Sequence, residues 1–297
     1  MTAAAAGARP EVVVGVDGSS RDAAALDAAL DAALREAAAG QWRVRAVRAQ
    51  GGRGRGDDPP AWPPGERAAV EQAVQAALAR RAEAGASTAE VSLELAAGAP
   101  GPALIAAGKG AALIVVGDRA RGPVQSALLG STTRQVVHES CTPVLVVPQQ
   151  ACPPGPVGRV VVGVDGSAPA RSAVTWAGAA ARRHGCPLLL LNAWVITALP
   201  ERKATGYIPS LAEFGELAGA WLDEQASAMA AELTDLQVQT HTVHGSAPEA
   251  LMRATGPQDL IVVGSRGQGG FSSLVLGSVA DQVVRHSDTP VVVVRAG

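Results

Sequence analysis

The chain repeats itself, and this repeat constrains the fold more than any other feature. Residues 160–167 reproduce residues 12–19 letter for letter, as VVVGVDGS. Over residues 260–294, more than half of the positions match residues 113–147 at one constant offset. Self-similarity over such a length indicates two copies of one structural unit along the chain.

The length of the chain fits two domains, since a domain takes about 150 residues and the chain has 297. We expect domains at 10–149 and 157–297, joined by a linker over 150–156. Within the linker, the segment CPPGP is rich in the residues that break regular structure.

Each copy alternates apolar runs with helical segments in the order β-α-β-α-β-α-β-α-β. The run VVVGV is continuous and rich in β-branched residues, which is typical of a strand buried on both faces. Aromatic residues make up only 3% of the chain, so the cores must be built from Val, Leu, Ile and Ala. Right-handed crossovers then predict an α/β fold: a five-stranded parallel sheet of order 3-2-1-4-5 with helices on both faces.

The pattern also gives expected bounds for the elements. Helices are predicted over 23–39, 66–84, from 98, 131–138, 170–184, 211–233 and after 248. Strands are predicted over 12–16, 42–49, 91–95, 113–116, 143–147, 188–192 and 238–243, with the remaining strands following from the repeat.

Composition limits the classes of function. The net charge of −2 provides no basic footprint for nucleic acid. No window approaches the roughly 18 uninterrupted apolar residues of a membrane span, which favours a soluble chain. Cys141, Cys152 and Cys186 show neither CxxC nor zinc spacing, which favours a reducing cytoplasm.

A glycine motif follows the fourth strand of each copy. In the second copy it consists of Gly264, Gly267, Gly277 and Ser278, with nine residues between the second and third glycines. Small residues let a ligand approach the backbone, and the free N–H groups of a helix start suit phosphate oxygens. The first copy has the same spacing with one departure, at Gly117, Ala120, Gly130 and Ser131.

An aspartate ends the first strand of each copy, at Asp17 and Asp165. With strand order 3-2-1-4-5, the ends of strands 1 and 4 are neighbours at the crevice where ligands bind in such sheets. The pair offers an acceptor for ribose or base and N–H donors for phosphate. The alternative is that the aspartates only organise their turns and that the glycines supply a positive φ.

The sequence does not match other phosphate-binding or catalytic motifs. The sequence around Gly108 and Lys109 lacks the first glycine of a Walker loop and the Ser or Thr after its lysine, and no GxGxxG follows the first strand. No Ser/His/Asp or Cys/His group has a supportable spacing, so no catalytic residue is assigned.

Together, Val-Asp-Gly-Ser after strand 1, G-x2-G-x9-G-(S/T) after strand 4 and a closing Pro-Val-Val-Val-Val strand resemble the universal stress proteins of the ATP-binding type. The resemblance covers nearly the whole chain as a tandem pair. It implies two Rossmann-like (adenine-nucleotide α-hydrolase-like) domains and ATP with Mg²⁺ as the ligand. It also implies that the last strands pair the two domains as a pseudo-dimer, and a further homodimer is expected.

The resemblance assigns roles to residues of the second copy. Asp165 contacts the nucleoside, Ala193 lies against adenine just past the second strand, and the glycine motif wraps the ribose and phosphates. The corresponding positions of the first copy are Asp17, Gly117, Ala120, Gly130 and Ser131. Ala120 departs from the pattern, so the first site is predicted to be the weaker.

The expected function is that of a cytoplasmic ATP-binding sensor or regulator of the stress response, which is not an enzyme. Two alternatives stay open. One is a slow ATPase or nucleotidyl-transfer enzyme using the same crevice, and the other is a nucleotide-free scaffold.

Overall fold

A computed structural model gives the fold of the chain. It describes residues 10–17, 23–50, 61–87, 89–118, 129–149, 155–196, 210–267 and 276–296. The chain divides into two compact units, one ending at Pro156 and the other beginning at Val157.

The first unit alternates strands and helices as predicted. Its strands are β1 (Glu11–Val16), β2 (Arg43–Gln50), β3 (Val91–Ala97), β4 (Leu113–Gly117) and β5 (Val144–Val147). Its helices are α1 (Ala23–Gly40), α2 (Glu66–Glu83), α3 (Pro100–Ala107) and α4 (Ser131–Glu139).

The second unit repeats this order. Its strands are β6 (Val160–Gly163), β7 (Leu188–Trp194), β8 (Val238–His244), β9 (Leu260–Gly264) and β10 (Val291–Val294). Its helices are α5 (Ala168–His184), α6 (Leu211–Ala228), α7 (Ala230–Leu233), α8 (Ala247–Arg253) and α9 (Ser278–His286).

All strand pairs within each unit are parallel, and helices flank both faces of the sheet. The strands follow the order β3-β2-β1-β4-β5 in the first unit and β8-β7-β6-β9-β10 in the second. The predicted order 3-2-1-4-5 is therefore confirmed in both units. The central strands β1 and β6 end beside β4 and β9, where the winding of the sheet reverses.

The cores consist of the apolar runs that the sequence analysis singled out. Val12, Val13 and Val14 of β1 have no exposed surface, and the same is true of the corresponding valines of β6. Covered on both faces by helices, these strands have no polar face to present, which explains their unbroken β-branched sequence.

Two predicted bounds were wrong in ways that matter. The helix predicted over 211–233 is interrupted at Met229, whose ψ of 7° lies outside the helical range. Two residues earlier, Ser227 Oγ donates to the carbonyl of Asp223 at 2.7 Å, a type of side-chain bond that slightly destabilises helices. The strand predicted to end at residue 192 continues to Trp194, so Ala193 lies inside β7 rather than just past it.

Across the described stretches of the chain, no helix is both long enough and apolar enough to cross a membrane.

Candidate functional site

A cavity of about 500 Å³ opens at the carboxyl ends of β6, β7 and β9, beside the start of α9. It collects all six residues predicted for the second site, namely Asp165, Ala193, Gly264, Gly267, Gly277 and Ser278. These residues come from four separate segments of the chain. The cavity thus lies at the switch point of the sheet, where the strand order predicts a ligand.

Asp165 is positioned by the turn that follows β6. The backbone N–H of Ser167 donates to its Oδ1 at 2.9 Å, while Ser167 Oγ accepts from the N–H of Ala170 and caps α5. The other carboxylate oxygen lies against Gly267, where an added Cβ would stand 2.4 Å from Oδ2. Asp165 therefore organises its turn and also lines the cavity, so the two interpretations of this residue do not exclude each other.

The motif needs glycines because neighbouring atoms lie very close to these positions, and not because they have a positive φ. A Cβ on Gly264 would lie 2.7 Å from the carbonyl carbon of Pro169, because the start of α5 crosses the end of β9 there. Gly277 has a φ of −63°, which any residue can adopt. A Cβ on it would still lie 3.1 Å from Cα of Arg266. The positive-φ alternative is wrong for Gly277, and backbone crowding explains the choice of glycine.

The start of α9 supplies backbone donors to the cavity. Gly277 is its N-cap, and no side chain caps the first turn. The N–H of Gly277 donates to the carbonyl of Ser265 at 2.7 Å, which fixes the direction in which the helix enters. Ser278, the first helical residue, is exposed and lines the cavity. The uncapped N–H groups and the positive end of the helix dipole favour an anion here.

Two polar lining residues were not assigned to the site by sequence reasoning. Asn192 lies in β7 beside Ala193, and its Nδ2 donates to the carbonyl of Val164 at 2.7 Å. The signal was available, since Asn192 is the one polar residue after a run of four leucines. Arg266, two residues after the first glycine of the motif, also lines the cavity.

The corresponding cavity of the first unit is smaller, about 120 Å³. Asp17, Gly117, Gly130 and Ser131 all line it, so the structure also brings these predicted residues together. Gly117 is again crowded, since a Cβ there would lie 2.8 Å from the carbonyl oxygen of Ala25. Ala120 lies outside the described residues, and the prediction that the first site is weaker stays a prediction.

Together, the fold and the cavities define a chain of two Rossmann-like α/β domains, each with a cavity at its switch point. A family model described as the universal stress protein family matches the chain twice, over residues 9–148 and 156–295. The chain belongs to this family, as a tandem-domain member.

Curated relatives agree with the family. The chain is 31% identical over 300 residues to universal stress protein Rv2005c of Mycobacterium tuberculosis, covering 96% of each chain. It is 35% identical over 235 residues to universal stress protein Rv1996 of the same organism, covering 76% of this chain and 71% of that one. A universal stress protein of Mycolicibacterium smegmatis is 33% identical over 198 residues, and the match spans 64% of that relative.

A solved structure shares the fold over the whole chain. The crystal structure of a universal stress protein from Archaeoglobus fulgidus DSM 4304 gives a TM-score of 0.62 at 22% identity. The match covers 97% of this chain and 98% of that one. At this identity the likeness concerns the fold alone.

Proposed function

We propose that the chain binds ATP, together with Mg²⁺, in the cavity of the second unit and acts as a nucleotide-dependent sensor or regulator of the stress response. One observation carries the proposal. Six residues chosen from a sequence motif for nucleotide binding, on four separate segments, line a single cavity of about 500 Å³. This volume lies within the range of roughly 300–1,000 Å³ typical of small-molecule sites.

The lining of the cavity fits the parts of a nucleotide. Leu191, Ala193 and Leu251 form an apolar wall suited to an adenine base. Asp165 supplies a carboxylate acceptor for ribose hydroxyls, and the uncapped start of α9 supplies N–H donors for phosphate oxygens. The described residues contain no group of three or more His, Cys, Asp or Glu able to hold a metal. Mg²⁺ would therefore enter with the phosphates, as it commonly does in nucleotide sites.

In this proposal ATP is a ligand and not a substrate for rapid turnover. Among the described residues that line the cavity, the ionisable side chains are Asp165 and Arg266. Asp165 Oδ1 accepts the N–H of Ser167, and an arginine cannot act as a base near neutral pH. Binding would instead stabilise one conformation or association state of the protein.

We further propose that the protein works in the cytoplasm and assembles through the last strands of its units. Within each unit, β5 and β10 form an edge of the sheet, and each consists only of Val and Leu. Apolar edge strands need covering, which favours pairing of the two units through these strands. A further homodimer would then use another surface of the chain.

A thermal-shift titration tests the proposed ligand. Nucleotide-stripped protein is melted with increasing Mg-ATP, beside an Asp165→Ala variant of unchanged circular dichroism. Because a ligand that binds only the folded state adds about 2.7 kcal/mol at a hundred times its Kd, the melting temperature should climb with Mg-ATP in the wild type. The climb should be much smaller in the variant. Flat melting temperatures in both proteins would contradict the proposal and favour the scaffold alternative.

A further inference from the structure

The first-unit cavity contains an arginine that has no counterpart in the second unit. In the two sheets, the first residues of the VVVGVDGS repeat pair with Val44 and Leu188, respectively. Arg48 lies four residues after Val44 in β2, and Asn192 lies four residues after Leu188 in β7. Arg48 and Asn192 therefore occupy equivalent positions in the two sheets. Both side chains line their cavities, so the two units differ at one equivalent wall position.

In the second unit this position leaves the cavity open. Asn192 has a short side chain that bonds to the carbonyl of Val164, at the turn that leads to Asp165. The residue that follows, Ala193, adds only a methyl group to the wall. On the side of Asn192 and Ala193, the proposed base position is therefore bounded by small groups.

In the first unit a guanidinium group occupies this region. Arg48 Nε donates to Glu66 Oε2 at 3.0 Å, and Nη1 donates to the carbonyl oxygen of Ala49. Ala49 is the equivalent of Ala193, so the guanidinium is held beside the wall residue that corresponds to the one proposed to contact the base. The side chains of Arg48 and Glu66 are only 19% and 29% exposed. The ion pair is therefore largely surrounded by other protein atoms.

The sizes of the cavities agree with this difference, at about 120 Å³ in the first unit and about 500 Å³ in the second. We infer that Arg48, held by Glu66, closes the nucleoside end of the first cavity and restricts ATP to the second unit. Arg48 is then a specificity-determining residue, and the inference rests on the proposed function. It differs from the explanation based on Ala120, which places the defect at the glycine motif.

Two substitutions separate these explanations. The number of Mg-ATP molecules bound per chain is measured by calorimetric titration for the wild type, Ala120→Gly, Arg48→Asn and the double variant. Arg48→Asn installs the residue of the second unit. Arg43→Asn serves as the matched control, because Arg43 lies on the same strand but pairs with Glu90 at the surface, away from the cavity.

We expect one nucleotide per chain in the wild type, in Ala120→Gly and in the Arg43→Asn control, and two in Arg48→Asn and in the double variant. A second nucleotide in Ala120→Gly alone would overturn the inference, and so would a double variant that still binds one. If the wild type bound no Mg-ATP, the proposed function would be contradicted together with the inference. The wild type alone is sufficient to show this outcome. Should Arg48→Asn unfold, Arg48→Gln keeps the aliphatic stem without the charge and is read in the same way.

Discussion

Oδ2 of Asp165 lies so close to Gly267 that a Cβ on this glycine would stand 2.4 Å from it. Real carbon and oxygen atoms that are not bonded do not approach so closely. The aspartate after the first strand and the second glycine of the motif lie about a hundred residues apart in sequence. Each nevertheless limits which residue can stand at the other position. Position 267 must lack a side chain for the carboxylate to keep its place in the cavity.

Gly267→Ala should weaken Mg-ATP binding because the new methyl group displaces the Asp165 carboxylate. We expect a loss of about tenfold in affinity, which corresponds to roughly 1.4 kcal/mol. Calorimetric titration measures it. Gly219→Ala, in α6 with no atom within 4 Å of the added Cβ, is the control and should leave the affinity unchanged. An unaltered affinity in Gly267→Ala would show that the position of this carboxylate does not matter for binding.

Gly264→Ala should reduce stability, since its Cβ would press on backbone atoms of Pro169 and Ala170. Backbone cannot rotate away as a side-chain tip can, so overpacking of about 1–3 kcal/mol is expected. Denaturant unfolding compares the variant with the wild type in the absence of nucleotide. Equal unfolding midpoints and slopes in Gly264→Ala and the wild type would contradict this prediction. They would mean that α5 can move away from β9 with no loss of stability.

Asp31 should make the stability depend on pH. Burial between α1 and α2 raises its pKa above the ordinary value of 3.8, and this effect outweighs the opposing ion pair with Arg80. The neighbouring Asp27 also raises the pKa, whereas Arg81 lowers it. The folded protein thus binds the Asp31 proton more tightly than the unfolded chain does.

The associated stability is present below pH 3.8 and is lost as the pH rises through the folded-state pKa. The wild type should therefore lose stability relative to Asp31→Asn as the pH rises from 3.8 through the folded-state pKa. Urea unfolding of both proteins across this range measures the difference. A relative gain of the wild type with rising pH would contradict the expected direction.

Much of the fold follows from local sequence. Runs rich in β-branched residues, such as Val12–Val14, favour buried strands, and a repeated βα pattern with right-handed crossovers leaves few topologies. The break at Met229 was missed because apolar periodicity continues across it. The backbone of Met229 departs from helical angles there without any change in that pattern.

The candidate site was predictable where it depends on backbone and not where it depends on side-chain direction. From the sequence alone, the predicted strand ends and helix starts place Asp165 and Gly277 in one crevice. The roles of Asn192 and Arg48 could not be predicted in this way. Their shared register position follows from the strand pairing in the structure, and only the structure shows that Asn192 bonds to Val164 and Arg48 to Glu66.

Calorimetric titration of nucleotide-stripped protein with Mg-ATP tests the central claim most directly, because it reads both affinity and the number of sites. We predict one nucleotide per chain, with binding lost in Asp165→Ala and retained in Asp17→Ala. Equal affinities in these two variants would contradict the division of labour between the units. No heat at several temperatures, with an unchanged melting point, would contradict ATP binding altogether.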